Sequence, residues 1–355
     1  MKKNLKKALS VTLAAALALG TAALVGGCSS STADNGEVNV YNWGEYIDES
    51  IFDQFEEETG IKVNYTTFSD NESMYSVLMS GSGEYDVIIP SDYMISRLIE
   101  EDMLEELDYD NIPNYEYIDD AYKGLEYDPD EQYTVAYMWG TVGIIYNTTM
   151  VDYEVTSWDA LWDEDYSGQI LMFDNSRDAI AIALQKLGYD LNTTDEDEIV
   201  EAVDLLIEQK PLVQAYVMDQ IFDKMEAGEA AIAPYYAGDA ITMIEENPDL
   251  AFCLPEEGSN VFVDAMCIPK GAANKENAEA FINFMCDPEI IAANCEVTGY
   301  SSPSTAALAY LDEELASSTI AYPDEETLSR CQVFTNLPDN ILELYDSEWL
   351  RLKSA

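Results

Sequence analysis

The chain of 355 residues contains no histidine. This absence excludes Ser-His-Asp and Cys-His catalysis and every metal site built on imidazole ligands. Six cysteines are present, but no two form a Cys-x-x-Cys pair, which argues against a zinc site. If Cys28 is lipidated, as argued below, the five others form an odd set, and the sequence leaves open whether any of them pair. We expect neither a metal nor a cofactor.

Basic residues are also scarce. The chain has 16 Lys and Arg against 70 Asp and Glu, a formal net charge of −54. Such a surface repels nucleic acid and concentrates cations near any cleft that it lines. Solubility accounts for much of this charge, so charge alone permits a cationic partner and excludes a nucleic-acid partner. With 48% hydrophobic and 11% aromatic residues, the chain has the composition of a folded protein.

The N-terminus has the order of a secretory signal. Lysines at positions 2, 3, 6 and 7 precede an Ala/Leu-rich run over residues 8–25. Gly26 and Gly27 then precede Cys28 and resemble a bacterial lipobox, which implies a signal peptide over residues 1–27, acylation of Cys28 and a polar tether over residues 28–36. A plain signal peptide or a single membrane anchor is the alternative. The lipobox predicts a lipid-anchored protein on the extracytoplasmic face of the bacterial cell membrane, periplasmic or at the cell surface.

Short apolar strands alternate with amphipathic helices after the tether. Strands are predicted over residues 37–43, 62–68 and 85–90, with helices between them, and the rhythm resumes at residue 168. This repetition favours mostly parallel sheets with helices on both faces. We therefore predict an α/β fold of two doubly wound lobes, with a ligand cleft between the lobes at the carboxyl ends of the strands.

Aromatic and acidic residues follow several of these strands together. The segments are Trp43-Gly44-Glu45-Tyr46, Ser91-Asp92-Tyr93, residues 174–178, Tyr235-Tyr236, Phe262-Val263-Asp264 and Gly299-Tyr300. Aromatic faces attract an alkylammonium ion, with about 0.5–2 kcal/mol per cation–π contact, and carboxylates accept its hydrogen atoms. Each residue alone could belong to the core or to the surface. Their coincidence at successive strand ends predicts a site for an aliphatic amine.

Several strings in the chain resemble the polyamine-binding proteins of spermidine/putrescine ABC importers. They are Trp43-Gly44-Glu45-Tyr46 and residues 71–75, 85–91, 139–141, 156–162, 186–189, 192–195 and 298–300. The resemblance implies a two-lobed, periplasmic-binding-protein-like fold of type II with two crossing hinge strands. Residues 138–141 and 261–264 are the candidate hinge segments. The predicted lobes comprise residues 37–140 with 264–310, and residues 141–263 with 311–355.

The resemblance also implies a ligand role for each matching residue. Asp178 would hold one terminal ammonium, and Asp264 would hold a more buried amine between Tyr235 and Phe262. Aromatic walls and polar edges would come from Trp43, Glu45, Tyr46, Ser91, Tyr93, Asn175, Tyr300 and Gln332.

Three features depart from the pattern of the family. Tyr235 and Phe262 occupy positions where spermidine binders have tryptophan. Asn175 falls where an acid would help to bind the far amine, and Asp174 is the candidate substitute. Gly44 replaces a larger polar residue. These departures preserve the class of ligand and leave the choice of polyamine open.

The prediction is a monomeric receptor, not an enzyme, that captures putrescine or spermidine for the permease and ATPase of an ABC importer. A receptor for ferric ion or another cationic amine is one alternative, because Tyr235-Tyr236 could supply paired tyrosinate ligands. A secreted glycoside hydrolase that uses Glu45 with Asp264 or Asp178 is a second. A receptor that senses polyamines without transport is a third.

Overall fold

The computed structural model describes residues 35–81 and 83–355. The predicted signal peptide, Cys28 and most of the predicted tether lie outside the described residues. The strands are β1 (Glu37–Trp43), β2 (Lys62–Phe68), β3 (Val87–Ile88), β4 (Val135–Asn147), β5 (Ile170–Phe173), β6 (Val213–Val217), β7 (Ile232–Tyr236), β8 (Leu250–Cys253) and β9 (Val261–Met266). The helices are α1 (Ile51–Thr59), α2 (Asn71–Ser80), α3 (Asp92–Glu100), α4 (Ser176–Leu187), α5 (Glu196–Gln209), α6 (Ile221–Glu226), α7 (Ala237–Glu246), α8 (Lys275–Met285), α9 (Pro288–Thr298), α10 (Glu313–Ala316), α11 (Glu325–Leu328) and α12 (Asp339–Ser354).

The first sheet is parallel and has the order β2-β1-β3. Val38 and Val40 of β1 are fully buried, as the alternation of the sequence predicts. Ile51 and Phe55 of α1 bury the apolar face of that helix in the same core. The predicted bounds of β1 and β2 are confirmed, whereas β3 is shorter than the apolar run over residues 85–90 suggests.

The second sheet has the order β6-β5-β7-β4-β8, and β9 also pairs with β4. β5 is parallel to β6 and β7, but β4 is antiparallel to β7, β8 and β9. The prediction of a mostly parallel sheet is therefore wrong for β4. All 13 of its residues are buried, so its sequence lacks the polar alternation that would have revealed a strand.

The segments predicted as hinge strands pair with each other. Met138 of β4 lies opposite Asp264 of β9, and Thr141 lies opposite Val261. β9 continues into contact with the first sheet, where the amide of Ala265 donates to the carbonyl of Pro90 at 3.2 Å. Asp264 thus lies on a strand that joins the two sheets.

Helix ends are set by local sequence. Asn175 caps α4 by accepting from the amides of Arg177 and Asp178, and Gly188 ends that helix in the left-handed region at φ 81. Asp195 caps α5, because its carboxylate accepts a hydrogen bond from the amide of Asp197.

The five cysteines of the described residues are all unpaired; Cys267, Cys286 and Cys295 are buried and Cys253 and Cys331 half-buried. Within the same residues, no helix combines the length and the apolar character needed to cross a membrane.

Candidate functional site

A cavity lies where the two sheets meet, and it has a volume of about 640 Å³ when the open space at its mouth is included. Segments that follow β1, β5, β6 and β7 reach it, as does β9 itself. Ten of the predicted ligand residues line it: Trp43, Tyr46, Ser91, Tyr93, Asn175, Asp178, Tyr235, Phe262, Asp264 and Tyr300. The structure therefore gathers these residues around one cavity near strand ends, where ligands bind in open α/β sheets.

Asp178 lies in the first turn of α4 and is only 6% exposed. Its Oδ2 accepts hydrogen bonds from the side-chain amide of Asn175 at 2.7 Å and from the hydroxyl of Tyr236 at 2.9 Å. Burial raises the pKa of Asp178 to about 7, although the Tyr236 hydrogen bond and the Arg177 charge act in the opposite direction. The fold thus holds Asp178 by neutral donors.

Asp264 is 3% exposed and belongs to β9. Its Oδ2 accepts from the hydroxyl of Tyr46 at 2.8 Å, whereas its Oδ1 has no partner among the described residues. Burial raises the pKa of Asp264 to about 7, although the hydroxyls of Ser91 and Tyr46 act in the opposite direction. A buried carboxylate oxygen without a donor is costly unless a ligand supplies one.

Asp239 is a third buried carboxylate, in the first turn of α7 and 8% exposed. It accepts from the hydroxyl of Tyr300 at 3.0 Å. Gly238 allows this contact, because a β-carbon there would lie 2.1 Å from the Tyr300 ring. Burial raises the pKa of Asp239 well above its ordinary value, and the charges of Asp219 and Glu45 raise it further.

Aromatic rings enclose these carboxylates. Tyr46 packs edge-on against Tyr300 with centroids 4.5 Å apart, and Phe262 packs edge-on against Tyr236 at 5.7 Å. The sequence had suggested that Tyr235 would face Phe262. The ring of Tyr235 instead stacks on Phe173 in the core of the second sheet, although it also reaches the cavity.

Asn71 organises the polar edge of the cavity. Its Nδ2 donates to Ser91 Oγ at 3.2 Å and to the Tyr93 hydroxyl at 3.1 Å, and its Oδ1 accepts from the Ser91 amide. The Tyr93 hydroxyl in turn donates to Glu72. Ser91 and Tyr93, two residues predicted from the sequence, are therefore held in place by the helix before them.

Three residues singled out from the sequence lie elsewhere. Glu45 is exposed and does not line the cavity, with φ 49 in the turn after β1. Gln332 is exposed, and its side chain accepts from the amide of Leu191 at 3.2 Å. Asp174 cannot stand in for the acid missing at Asn175, because it lies outside the cavity and pairs with Lys353 at 2.6 Å.

The predicted ligand set left out several lining residues, although Tyr236 belongs to the Tyr235-Tyr236 segment named from the sequence. They are Ser69, Asn71, Met218, Asp219, Tyr236, Asp239, Asn260 and Phe334. Asp239 follows β7 after Tyr235-Tyr236, and Asp219 follows β6. Both obey the strand-end rule, and recognition of β6 would have found Asp219.

The cavity carboxylates are not ion-paired with basic side chains in the part of the chain that the structure describes. The ion pairs found within the described residues involve none of Asp178, Asp219, Asp239 and Asp264. Arg177, the nearby cation, is buried with its guanidinium 4.6 Å from the Phe334 ring and donates to Asn192 and to the carbonyl of Thr335. An anionic, ring-lined cavity of this kind can hold a cation that carries both hydrogen-bond donors and apolar surface.

A two-lobed α/β fold with a cavity where the lobes meet is the architecture of solute-binding receptors. A family model described as bacterial extracellular solute-binding protein matches residues 50–322. The spermidine/putrescine-binding periplasmic protein of Escherichia coli (strain K12) is 34% identical over 340 residues, which cover 95% of this chain and 97% of that protein. The chain belongs to this family of bacterial extracellular solute-binding proteins.

Solved structures agree on the fold. One from Listeria monocytogenes has 41% identity and a TM-score of 0.86, covering 89% of this chain and 98% of its own. The substrate-binding protein of a spermidine/putrescine ABC transporter from Streptococcus pneumoniae has 39% identity and a TM-score of 0.76, covering 90% and 99%. The chain has the periplasmic-binding-protein fold of type II predicted from its sequence.

Proposed function

We propose that this protein is an extracytoplasmic receptor that captures a polyamine, putrescine or spermidine, for an ABC importer. The single observation that carries the proposal is the set of buried carboxylates without basic partners, above all Asp264, whose Oδ1 lacks any donor among the described residues. An alkylammonium group supplies both the missing charge and the missing hydrogen atoms. The relatives named above, which are spermidine/putrescine-binding proteins by name, support the same class of ligand.

The recognition mechanism follows from the chemistry of the charged groups of the ligand and of its carbon chain. Asp178 accepts hydrogen bonds from a terminal ammonium group and Asp264 from a more buried amine, while Tyr46, Phe262 and Tyr300 cover the neighbouring methylene groups. Burial raises the pKa of both carboxyls to about 7, so an ammonium ion binds the ionised form and displaces protons at neutral pH. No bond is made or broken, and the receptor is not an enzyme.

Transport requires the ligand to be enclosed and then released. We assign the hinge to the paired segments 138–141 and 261–264, because they carry the chain between the two sheets. Closure brings Trp43 and Ser91, on the side of the first sheet, together with Asp178 and Tyr235, on the side of the second sheet. A ligand that contacts both sets stabilises the closed state by its differential affinity. A lipid anchor at Cys28 and a monomeric state belong to the same proposal.

Ferric ion is a weaker candidate for this cavity. Burial raises the pKa values of Tyr235 and Tyr236 well above the ordinary value, which opposes tyrosinate ligands. The hydroxyl of Tyr236 is moreover a donor to Asp178.

The test is a calorimetric titration of the purified protein with putrescine, cadaverine, spermidine and spermine, with ferric citrate as the competing candidate. The proposal predicts saturable one-to-one binding of at least one polyamine and a colourless protein. Coloured protein in ferric citrate, with no heat from any polyamine, would assign the site to the metal.

A further inference from the structure

The cavity has a second group of carboxylates besides Asp178 and Asp264. Asp239 lies inside it, and Asp219 lies at its exposed mouth, on the segment between β6 and α6. The charge of Asp219 raises the pKa of Asp239, so the two side chains act on each other. Neither takes part in an ion pair with any residue that the structure describes.

Gly44 makes room for Asp219. A β-carbon on Gly44 would lie 2.6 Å from Oδ2 of Asp219, closer than real β-carbons approach any heavy atom. The φ angle of Gly44 is not positive, so the backbone conformation at this position does not itself require glycine. What a side chain at position 44 would meet is the Asp219 carboxylate.

Asp219 therefore reaches across the cavity from the β6 side to the turn after β1. Its carboxylate forms no hydrogen bond with another side chain among the residues described, which leaves its oxygens available at the cavity mouth. A carboxylate held in that position has the chemistry of an ammonium receptor and not of a structural link.

We propose that Asp219, in the space that Gly44 leaves, binds the ammonium group at the end of the ligand distal to Asp178, with Asp239 behind it. This inference rests on the proposed function and adds a specificity-determining residue to it. The two poles, Asp178 with Asp264 and Asp219 with Asp239, make the cavity selective for amines charged at both ends.

The experiment compares the wild-type protein with D219N, D223N and G44A by calorimetry, using putrescine and spermidine as the probes. Asp223 is the matched control, because it is an exposed acid in α6 next to Asp219 and does not line the cavity. D219N is expected to lower the affinity for the tighter-binding polyamine about tenfold, because one charge-assisted contact is lost. D223N is expected to bind with the affinity of the wild type. G44A, which displaces Asp219, should change affinity in the same direction, and G44A/D219N should be no weaker than D219N.

The outcomes separate this inference from the proposed function. If the wild type binds a polyamine and D219N binds it equally well, the inference is overturned while the proposed function stands. Equal losses in D219N and D223N would also overturn it, since they would reflect net charge alone. If the wild type binds neither polyamine, the proposed function fails and the inference fails with it. G44A provides the second route should D219N fold poorly.

Discussion

The side-chain amide of Asn175 donates a 2.7 Å hydrogen bond to the carboxylate of Asp178, three residues further along the chain. The same side chain caps α4 through its oxygen. From the sequence, we expected an acid at position 175 to face the far amine of the ligand, a group that Asn175 lacks. In the structure Asn175 instead positions Asp178, through both the oxygen and the nitrogen of its side-chain amide.

The first prediction concerns Asn175. N175A should lower the free energy of unfolding by about 1 kcal/mol through loss of the cap, with weaker polyamine binding because Asp178 loses a donor. N175D should keep the cap but place a second carboxylate beside Asp178, raising the pKa of Asp178 further. Urea denaturation and calorimetry measure the two effects. Equal stability of N175A and the wild type would contradict the capping role.

The second prediction concerns Asp264. D264N should weaken polyamine binding by about 2–5 kcal/mol, because the buried ammonium group loses its counter-charge. The same change should stabilise the ligand-free protein, since the carboxylate is buried with one oxygen unpartnered. Calorimetry measures the loss of affinity, and thermal unfolding of the ligand-free variant measures the gain in stability. Lower stability together with unchanged affinity would give Asp264 a structural role only.

The third prediction concerns pH and folding. The pKa values of Asp178 and Asp264 are raised from 3.8 to about 7 in the folded protein. Between about pH 4 and pH 7 the folded state therefore binds more protons than the unfolded state at these two sites, and their contribution to stability falls as pH rises. Urea denaturation at a series of pH values should show that the free energy of unfolding falls more steeply with rising pH for the wild type than for D178N/D264N. Parallel curves would contradict the raised pKa values.

The fourth prediction concerns pH and binding. If ammonium groups bind the ionised carboxylates, affinity should increase between pH 5.5 and pH 8 and binding should release protons. Calorimetry in two buffers of different ionisation enthalpy detects that release as a difference in apparent heat. Identical heats in the two buffers near pH 7 would exclude proton-coupled binding.

The fifth prediction concerns Trp43, which lines the cavity while its indole N–H donates to the carbonyl of Ile89 at 2.9 Å. W43L should lose both the ring face and the hydrogen bond, whereas W43F should lose chiefly the hydrogen bond. Both variants should therefore lose about 1 kcal/mol of stability, and W43L should bind polyamine more weakly than W43F. Equal affinity of the two variants for polyamine would contradict the claim that the ring of Trp43 contacts the ligand.

The sequence predicted the first sheet and the ring-lined strand ends well, because β1 and its neighbours carry clear alternation and turn signals. It predicted only residues 138–141 of β4, where burial on both faces erases the alternation, and it failed at β6, whose end supplies Asp219. It also assigned to Tyr235 the contact with Phe262 that Tyr236 makes. Adjacent strand residues point to opposite faces, so an error of one position assigns a contact to the wrong neighbour.

Which side chain fills the space beside a given glycine could not be predicted. That Gly44 accommodates Asp219, or that Gly238 accommodates Tyr300, depends on how separate strands meet in three dimensions. The sequence gives the position of each glycine, but it does not tell which distant side chain packs against that glycine.

The most direct test of the account is a titration of the wild type, D178N/D264N and D174N with putrescine and spermidine. D174N is the matched control, since Asp174 is an exposed acid in the same loop that pairs with Lys353. The account predicts saturable binding by the wild type and D174N, and loss of at least about 100-fold in affinity in D178N/D264N. Undiminished binding by D178N/D264N would contradict the claim that buried carboxylates select a positively charged ligand.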